Sequence, residues 1–437
     1  MILSRESLRA WLRLSLTPGI GNISARALIQ SFGLPEIIFQ QSPSELQAVV
    51  SAPQAAQLRQ CPEDLNAAVE ITWDWLQTPA AGSARLSSGA PLAFTKRLLT
   101  LADSDYPSTL MLTPDPPCLL YVLGQTQHLS WLSPKPFKAP QALAVVGSRN
   151  PTPQGRLNAH DFSVTLAQAG LTVISGLALG VDTAAHQGAL KGGTAANPLR
   201  TVAIVGTGLD RVYPHQNHAL AMDIASMGLL ISEYPLNTPP ISSNFPKRNR
   251  LIAGLTQGCL VVEAATRSGS LITAKQAIDM GKDVFAIPGS IHTTVAKGCH
   301  DLIKQGAKLV DCAQDILEEL KDLPALAHRP ELFEPRTVHA MQSSTQQSQG
   351  QATPLKDEQD EDHRSASLQV LASMGQNPVG LDELIFLTGM SASQLQVELF
   401  QLELRGALGR LPGGLFQQLK QAKRTPSKPS PAGNAKA

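Results

Sequence analysis

Cations recur at glycine-rich turns along the middle of this chain. Arg149 lies in GSRNPTPQG (147–155), Arg211 in GTGLDRVYP (206–214) and Arg267 in EAATRSGS (263–270), with Lys275 one turn into the following helix. Lys247, Arg248 and Arg250 all fall in NFPKRNRLIAGLT (244–256), just before Leu251, Ile252 and Leu255 at helical spacing. A helix start carries partial positive charge, so each cation there should cost roughly 0.3–1 kcal/mol unless an anion neutralises it. Glycine turns that open into helices present unpaired backbone N–H groups, which bind phosphate. The turns SGLALGVD (175–182), SEYP (232–235) and PGS (288–290) continue the pattern. Cations and amides gathered at one rim predict a ligand with several phosphates in series.

The nucleotide motifs do not fit. GTGLDR begins like GxGxxG, but Arg211 stands at the third glycine and no acidic residue follows a paired strand at the dinucleotide spacing. No GxxxxGK[ST] occurs. A chain of phosphates is instead expected to be nucleic acid, and single strands are held by a positive groove with aromatic faces for the bases. Aromatic residues are only 4% of the chain, yet Phe245, Tyr213 and Tyr234 all lie in these turns. Two readings stay open for each: the tyrosines stack bases or shape Tyr-Pro turns, and Phe245 stacks a base or anchors the core. His186, His215, His218, Asp182, Glu233 and Glu263 show no nucleophile-and-base or metal-ligand spacing. Asp182 and Glu263 are expected to cap helices or accept from glycine-loop amides, and the histidines to be structural or solvated. A binding protein without catalytic residues, metal or cofactor is expected.

These turns must be positioned by the elements between them. The runs LAVV (143–146), LTVIS (171–175), TVAIV (201–205), LLIS (229–232), CLVVE (259–263), DVFAIP (283–288) and KLV (308–310) are short and continuously apolar. Amphipathic helical stretches alternate with them, which predicts an α/β core with a Rossmann-like doubly wound, mostly parallel sheet. Ligands of such sheets bind beyond the carboxyl ends of the strands, where the cationic turns fall. Residues 1–77 read as a small all-α domain, 78–91 as a mobile connector and 92–322 as the core. Residues 323–364, with SSTQQSQGQ and DEQDED, read as a disordered linker, 365–420 as a further globular domain and 421–437 as a disordered tail.

Composition bounds the rest. Over 437 residues, Lys+Arg 36 against Asp+Glu 35 gives a net charge of +1, so a polyanion must be held by a local patch. The five cysteines form no CxxC pair and suit a reducing compartment. MILSRESLRAWLRLSLTPG is amphipathic and unlike a signal peptide, and no apolar run reaches about 18 residues. A cytoplasmic protein with no membrane span is expected.

The ordered series GSR, SGLALGVD, GTGLDRVYP, SEYP, NFPKRNRLIAGLT, VVEAATRSGSLITA, VFAIPG and KGCHDLIKQGAKLV closely resembles the DNA-processing protein A (DprA, or Smf) family. DSDYPSTLMLTPDPPCLLYVLG (103–124) looks like that family's lead-in to its Rossmann-like domain, and the resemblance covers about residues 92–322. His300 stands where the family usually has asparagine. The resemblance implies a bacterial cytosolic protein that protects incoming single-stranded DNA and loads RecA recombinase on it during natural transformation. It also implies a homodimer formed through this domain. It places Arg149, Lys247, Arg248 and Arg250 in a positive DNA-binding pocket, and has Gly176, Gly180, Ser268, Gly269 and Ser270 supply backbone or hydroxyl contacts. Gly147, Ser148, Phe245, Arg211, Arg267 and Lys275 complete the expected DNA-binding set.

The flanks are read from spacing. TPGIGNISARALIQSFG (17–33) is either a phosphate-holding helix-hairpin-helix or a sterile α-motif-like hairpin that only packs. LDELIFLTG, a turn at Met390 and Ser391, then SASQLQVELFQLELRG and a glycine-turned ribbon is winged-helix spacing. Its recognition helix carries Glu398 and Glu403 and few cations, so protein and duplex DNA are equal candidates as its partner. One rival function is a nucleotide-processing enzyme of the lysine-decarboxylase-like phosphoribohydrolase type, whose PGGxGTxxE loop is replaced here by SGSLITA. Another is a winged-helix regulator with a small-molecule-sensing core.

Overall fold

The computed structural model describes residues 4–78, 80–85, 91–129, 131–132, 141–194, 199–320, 367, 369–374, 379–404, 407–411 and 415–418. The chain divides into two compact units, Met1–Thr337 and Val338–Ala437. The expected linker and tail lie outside the described residues.

Six helices open the first unit: α1 (Arg5–Leu16), α2 (Asn22–Phe32), α3 (Pro35–Ile38), α4 (Pro43–Gln47), α5 (Ala52–Leu58) and α6 (Leu65–Gln77). Ser4 caps α1, and the helix buries Leu8, Trp11, Leu12 and Leu14, the apolar stripe visible in the sequence. These residues share one hydrophobic cluster with Leu119, Tyr121 and Val122 of the sheet. Trp75 meets Tyr121 edge-on at 5.9 Å. Each fully buried leucine here contributes about 1.5–3 kcal/mol, so the helical region and the sheet stabilise each other.

The sheet has ten strands: β1 (Ala80–Arg85), β2 (Pro91–Thr100), β3 (Leu119–Gly124), β4 (Ala142–Val146), β5 (Thr172–Ser175), β6 (Thr201–Ile204), β7 (Leu229–Ser232), β8 (Gly258–Val261), β9 (Asp283–Ala286) and β10 (Lys308–Leu309). Their order is β1-β2-β3-β7-β6-β5-β4-β8-β9-β10. All seven apolar runs became strands β4 to β10, paired in parallel. The stretch expected to be a connector differs: residues 80–85 pair antiparallel with β2. Strands β2 and β3 extend the sheet, with Tyr121 opposite Ser232 of β7.

Helices α7 (Ser108–Met111), α8 (Thr126–Leu129), α9 (Pro153–Gln168), α10 (Val181–Gly192), α11 (His218–Met227), α12 (Asn244–Gly254), α13 (Ser270–Asp279), α14 (Lys297–Lys304) and α15 (Ala313–Glu319) complete the unit. One sheet face packs on Phe162, Leu166 and Ala185 of α9 and α10, the other on Ile252, Ala274 and Leu302 of α12 to α14. β4 has β5 on one side and β8 on the other, so the winding reverses between β4 and β8. That reversal opens a crevice at the carboxyl ends.

In the second unit, helices Leu381–Thr388 and Ala392–Leu404 are joined through Gly389 at φ 69°, a left-handed helix cap. Strands β11 (Val379–Gly380), β12 (Leu408–Leu411) and β13 (Leu415–Gln418) form a small antiparallel sheet. Leu384, Leu395, Leu399, Leu402 and Phe416 make its core. Glu398 is buried, and its carboxylate accepts from Ser367 Oγ at 2.6 Å.

Candidate nucleic-acid interface

A cleft of about 400 Å³ lies at the winding reversal. Gly147 and Arg149 reach it from the end of β4, Asp182 from α10, Tyr213 from the turn after β6, and Ser268, Gly269 and Ser270 from the turn after β8. Helix α12 forms one wall with Phe245, Arg248, Asn249 and Ile252. The positions fall at helical spacing, so one stripe of α12 faces the cleft.

The aromatic and cationic groups meet at this wall. The Phe245 and Tyr213 rings lie 5.6 Å apart and tilted by 33°. The Arg149 guanidinium stands 5.6 Å from the Phe245 ring centre. Arg149 is exposed and has no ion pair among the described residues. Lys247 is exposed on α12, about 200° around the helix from Phe245; it does not line the cleft and has no ion pair among the described residues. Neither α12 nor α13 has a side chain capping it from its N-cap residue, and the turns use the first amides instead: Asn244 N–H donates to the Ile241 carbonyl at 3.0 Å, and Ser270 N–H to Ser268 Oγ at 3.3 Å. Gly269 has open space where a side chain would project, which lets a ligand backbone come close.

The glycines of SGLALGVD act differently. Gly176 donates its N–H to Asp182 at 3.0 Å and its carbonyl accepts from Arg248 at 2.7 Å, so both polar groups are used internally. A side chain at Gly176 would collide with the Arg248 guanidinium. Gly180 adopts φ 84°, and a Cβ there would lie 2.5 Å from the Ser148 carbonyl. These glycines let the loops after β4 and β5 pack on each other and on Arg248.

The three cations of NFPKRNR separate. Arg248, though it lines the cleft, is only 4% exposed and donates to the carbonyls of Gly176 and Ile204. Burial lowers its pKa to about 10, which leaves it charged at neutral pH, while burial raises that of its neighbour Asp182 and Arg248 pulls it back. Arg250 turns away from the cleft and pairs with Asp115 at 2.9 Å and with Glu233. Both were expected to contact phosphate; Arg250 does not line the cleft, and Arg248 lines it with Nη1 already committed to two carbonyls. Arg211 bonds to Asp210 and Asn237, outside the cleft lining. Arg267 and Lys275 are exposed on the α13 side and likewise do not line it. Ser148 holds its own turn, accepting from the Asn150 N–H at 3.1 Å.

The carboxylates behave as helix and loop anchors. Glu263 accepts from the Thr152 N–H at 2.9 Å and from its hydroxyl at 2.5 Å. His186 is buried and bonds through Nδ1 to the Thr201 hydroxyl, and burial pulls its pKa down to about 3. His300 contacts the Gly289 carbonyl at 3.0 Å, bracing the turn after β9. Asn249 was missed from the sequence although it is one helical turn from Phe245; it donates to the Gly269 carbonyl at 3.2 Å and joins the two cleft walls. In the N-terminal hairpin, Gln54 bonds to the Gly19 carbonyl at 2.8 Å and Arg26 to the Thr113 carbonyl at 2.9 Å, contacts that pack the hairpin within its own unit.

Fold and cleft together define an α/β binding protein with a cationic, aromatic-walled crevice at the switch point of its sheet. Family comparison narrows the class. Residues 97–321 match the family described as DNA recombination-mediator protein A, and residues 351–414 match the DprA winged helix domain. The protein Smf of Synechocystis is 36% identical over 330 residues, covering 74% of this chain and 80% of that protein. The protein Smf of Escherichia coli is 35% identical over 385 residues, covering 87% and 89%. The X-ray structure of DNA processing protein A from Streptococcus pneumoniae superposes with a TM-score of 0.56 at 32% identity, covering 73% of this chain and 99% of that one. The chain belongs to the DprA (Smf) family of DNA-processing proteins, which are recombination mediators rather than enzymes. No helix among the described residues is long and apolar enough to cross a membrane.

Proposed function

We propose that the chain binds single-stranded DNA in the cleft above β4 and β8 and passes the coated strand to RecA recombinase. The observation that carries this reading is the stack of Arg149 on Phe245 beside Tyr213, within one crevice that has open space at Gly269. Arg149 meets a phosphate in the cleft, Lys247 meets one beyond its lining, Gly269 lets the strand's backbone come close, and a base lies on Phe245 or Tyr213. Duplex DNA keeps its bases stacked inside, so an aromatic wall at this depth suits an unpaired strand. No bond is made or broken. Glu263 and Asp182 are engaged by Thr152 and by the Gly176 amide, as loop anchors. RecA loading during natural transformation, assembly as a homodimer through the Rossmann-like domain and a cytoplasmic setting belong to the same proposal, on the strength of family membership.

The test is salt titration of oligothymidine binding to the full chain. Each lost phosphate contact lowers the slope of log K against log salt by about 0.7, so Arg149→Ala with Lys247→Ala should lower it by about 1.4. An unchanged slope and affinity would remove both residues from the interface.

A further inference from the structure

Helix α12 presents Phe245 to the cleft and Arg250 to its opposite flank. Arg250 is 9% exposed and held from two directions. Its Nε lies 2.9 Å from Asp115, in the loop before β3, and its Nη2 pairs with Glu233, directly after β7. Because β3 runs antiparallel to β7, both carboxylates sit at the same rim of the sheet. The Asp115 loop is itself braced: Leu110 and Thr113 lie against Gly254 at the far end of α12, and Arg26 of α2 holds the Thr113 carbonyl. Burial raises the Glu233 pKa, while Arg250 and a side-chain hydrogen bond with Asn22, at the first turn of α2, pull it back. The helical region, the Asp115 loop and α12 therefore form a continuous stack.

We infer that Arg250 is a positioning residue: clamped between Asp115 and Glu233, it fixes the roll of α12 and so the placement of Phe245 toward DNA, with α2 bracing the clamp. The inference rests on the single-strand reading above. Two ion pairs set the rotation of a short helix, because a roll that moved Phe245 along the cleft would pull Arg250 off both carboxylates. Separating a buried charge from its partners is strongly unfavourable.

The competing role, direct phosphate contact, makes opposite predictions. If Arg250 met phosphate, Glu233 would be its competitor, and Glu233→Gln would tighten binding and steepen the salt slope. If Arg250 positions α12, Glu233→Gln loosens the clamp and weakens binding without changing the slope. The experiment measures oligothymidine affinity against salt for the full-length wild type, Arg149→Ala, Arg250→Gln, Glu233→Gln and Asp115→Asn. The clamp predicts about tenfold weaker binding for Arg250→Gln and Glu233→Gln at an unchanged slope. Arg250→Lys should recover part of the loss, since one ion pair survives. A slope lowered by about 0.7 in Arg250→Gln, or tighter binding in Glu233→Gln, would overturn the inference. Should Arg250→Gln fail to fold, Glu233→Gln and the half-exposed Asp115→Asn decide it alone. Wild type that fails to bind oligothymidine overturns the DNA reading and the inference with it; wild type that binds, with a slope reduced in Arg149→Ala, isolates the clamp as the point at issue.

Discussion

Arg248→Met separates support of the cleft from contact with DNA. The guanidinium donates to the Gly176 and Ile204 carbonyls and lies beside buried Asp182, which also holds the Gly176 and Ala178 amides. Methionine fills most of the same volume but leaves those carbonyls and the Asp182 charge without their partner. Leaving two buried carbonyls without their donor costs about 1–3 kcal/mol each, so the variant should be destabilised by at least that order in urea unfolding of the full chain. Asp182→Asn supplies the second corner of a double-mutant cycle. Both residues bond to Gly176, and groups in one hydrogen-bond network couple by about 0.5–3 kcal/mol, so the double variant should be less destabilised than the sum of the single ones. The salt slope for oligothymidine should remain that of wild type in whatever fraction binds. An Arg248→Met protein as stable as wild type within about 0.5 kcal/mol, with a slope lower by about 0.7, would refute the internal assignment and return Arg248 to the phosphates.

Two further outcomes follow from the same geometry. Phe245→Leu keeps an apolar side chain at the wall but removes the stacking face, and loss of one stacked base, about 1–3 kcal/mol, should weaken oligothymidine binding about 5- to 150-fold at an unchanged salt slope. His186 is neutral when folded because burial, and then Arg248, hold its pKa down to about 3, whereas the unfolded chain takes up a proton near pH 6.5. Its contribution to stability therefore falls as pH drops below about 6.5, by about 2 kcal/mol at pH 5, and His186→Gln should flatten the acid limb of the urea midpoint by that amount relative to wild type.

The parallel strands were legible because a strand buried on both faces must be apolar at successive positions, as LAVV and CLVV are. The antiparallel extension was not. β2 carries Lys96 and Arg97 within an apolar stretch, and no alternation of strand and helix announces that β3 will pair with β7. The rim on which the ligand residues gather also followed from the sequence, since turns after parallel strands share one edge. Which cation faces the ligand did not. Arg248 and Arg250 are two residues apart, about 200° around a helix, and their partners Asp182, Asp115 and Glu233 come from separate parts of the chain. A motif can specify that α12 carries cations; only the packing around it tells which are already neutralised. The glycines of SGLALGVD look in the sequence like approaches for a ligand, yet Gly176 and Gly180 make room for Arg248 and for the neighbouring loop; of the four glycines expected to meet DNA, Gly269 alone has open space where a side chain would project.

The central claim is that this cleft receives an unpaired strand through Arg149 and Phe245. Its most direct test compares affinity of the full chain for oligothymidine and for a duplex of equal length at near-physiological salt, with Phe245→Leu alongside. The account predicts clearly tighter binding of the single strand and a preference that collapses in the Phe245 variant. Equal or tighter binding of the duplex, or a single-strand preference untouched by Phe245→Leu, would contradict it.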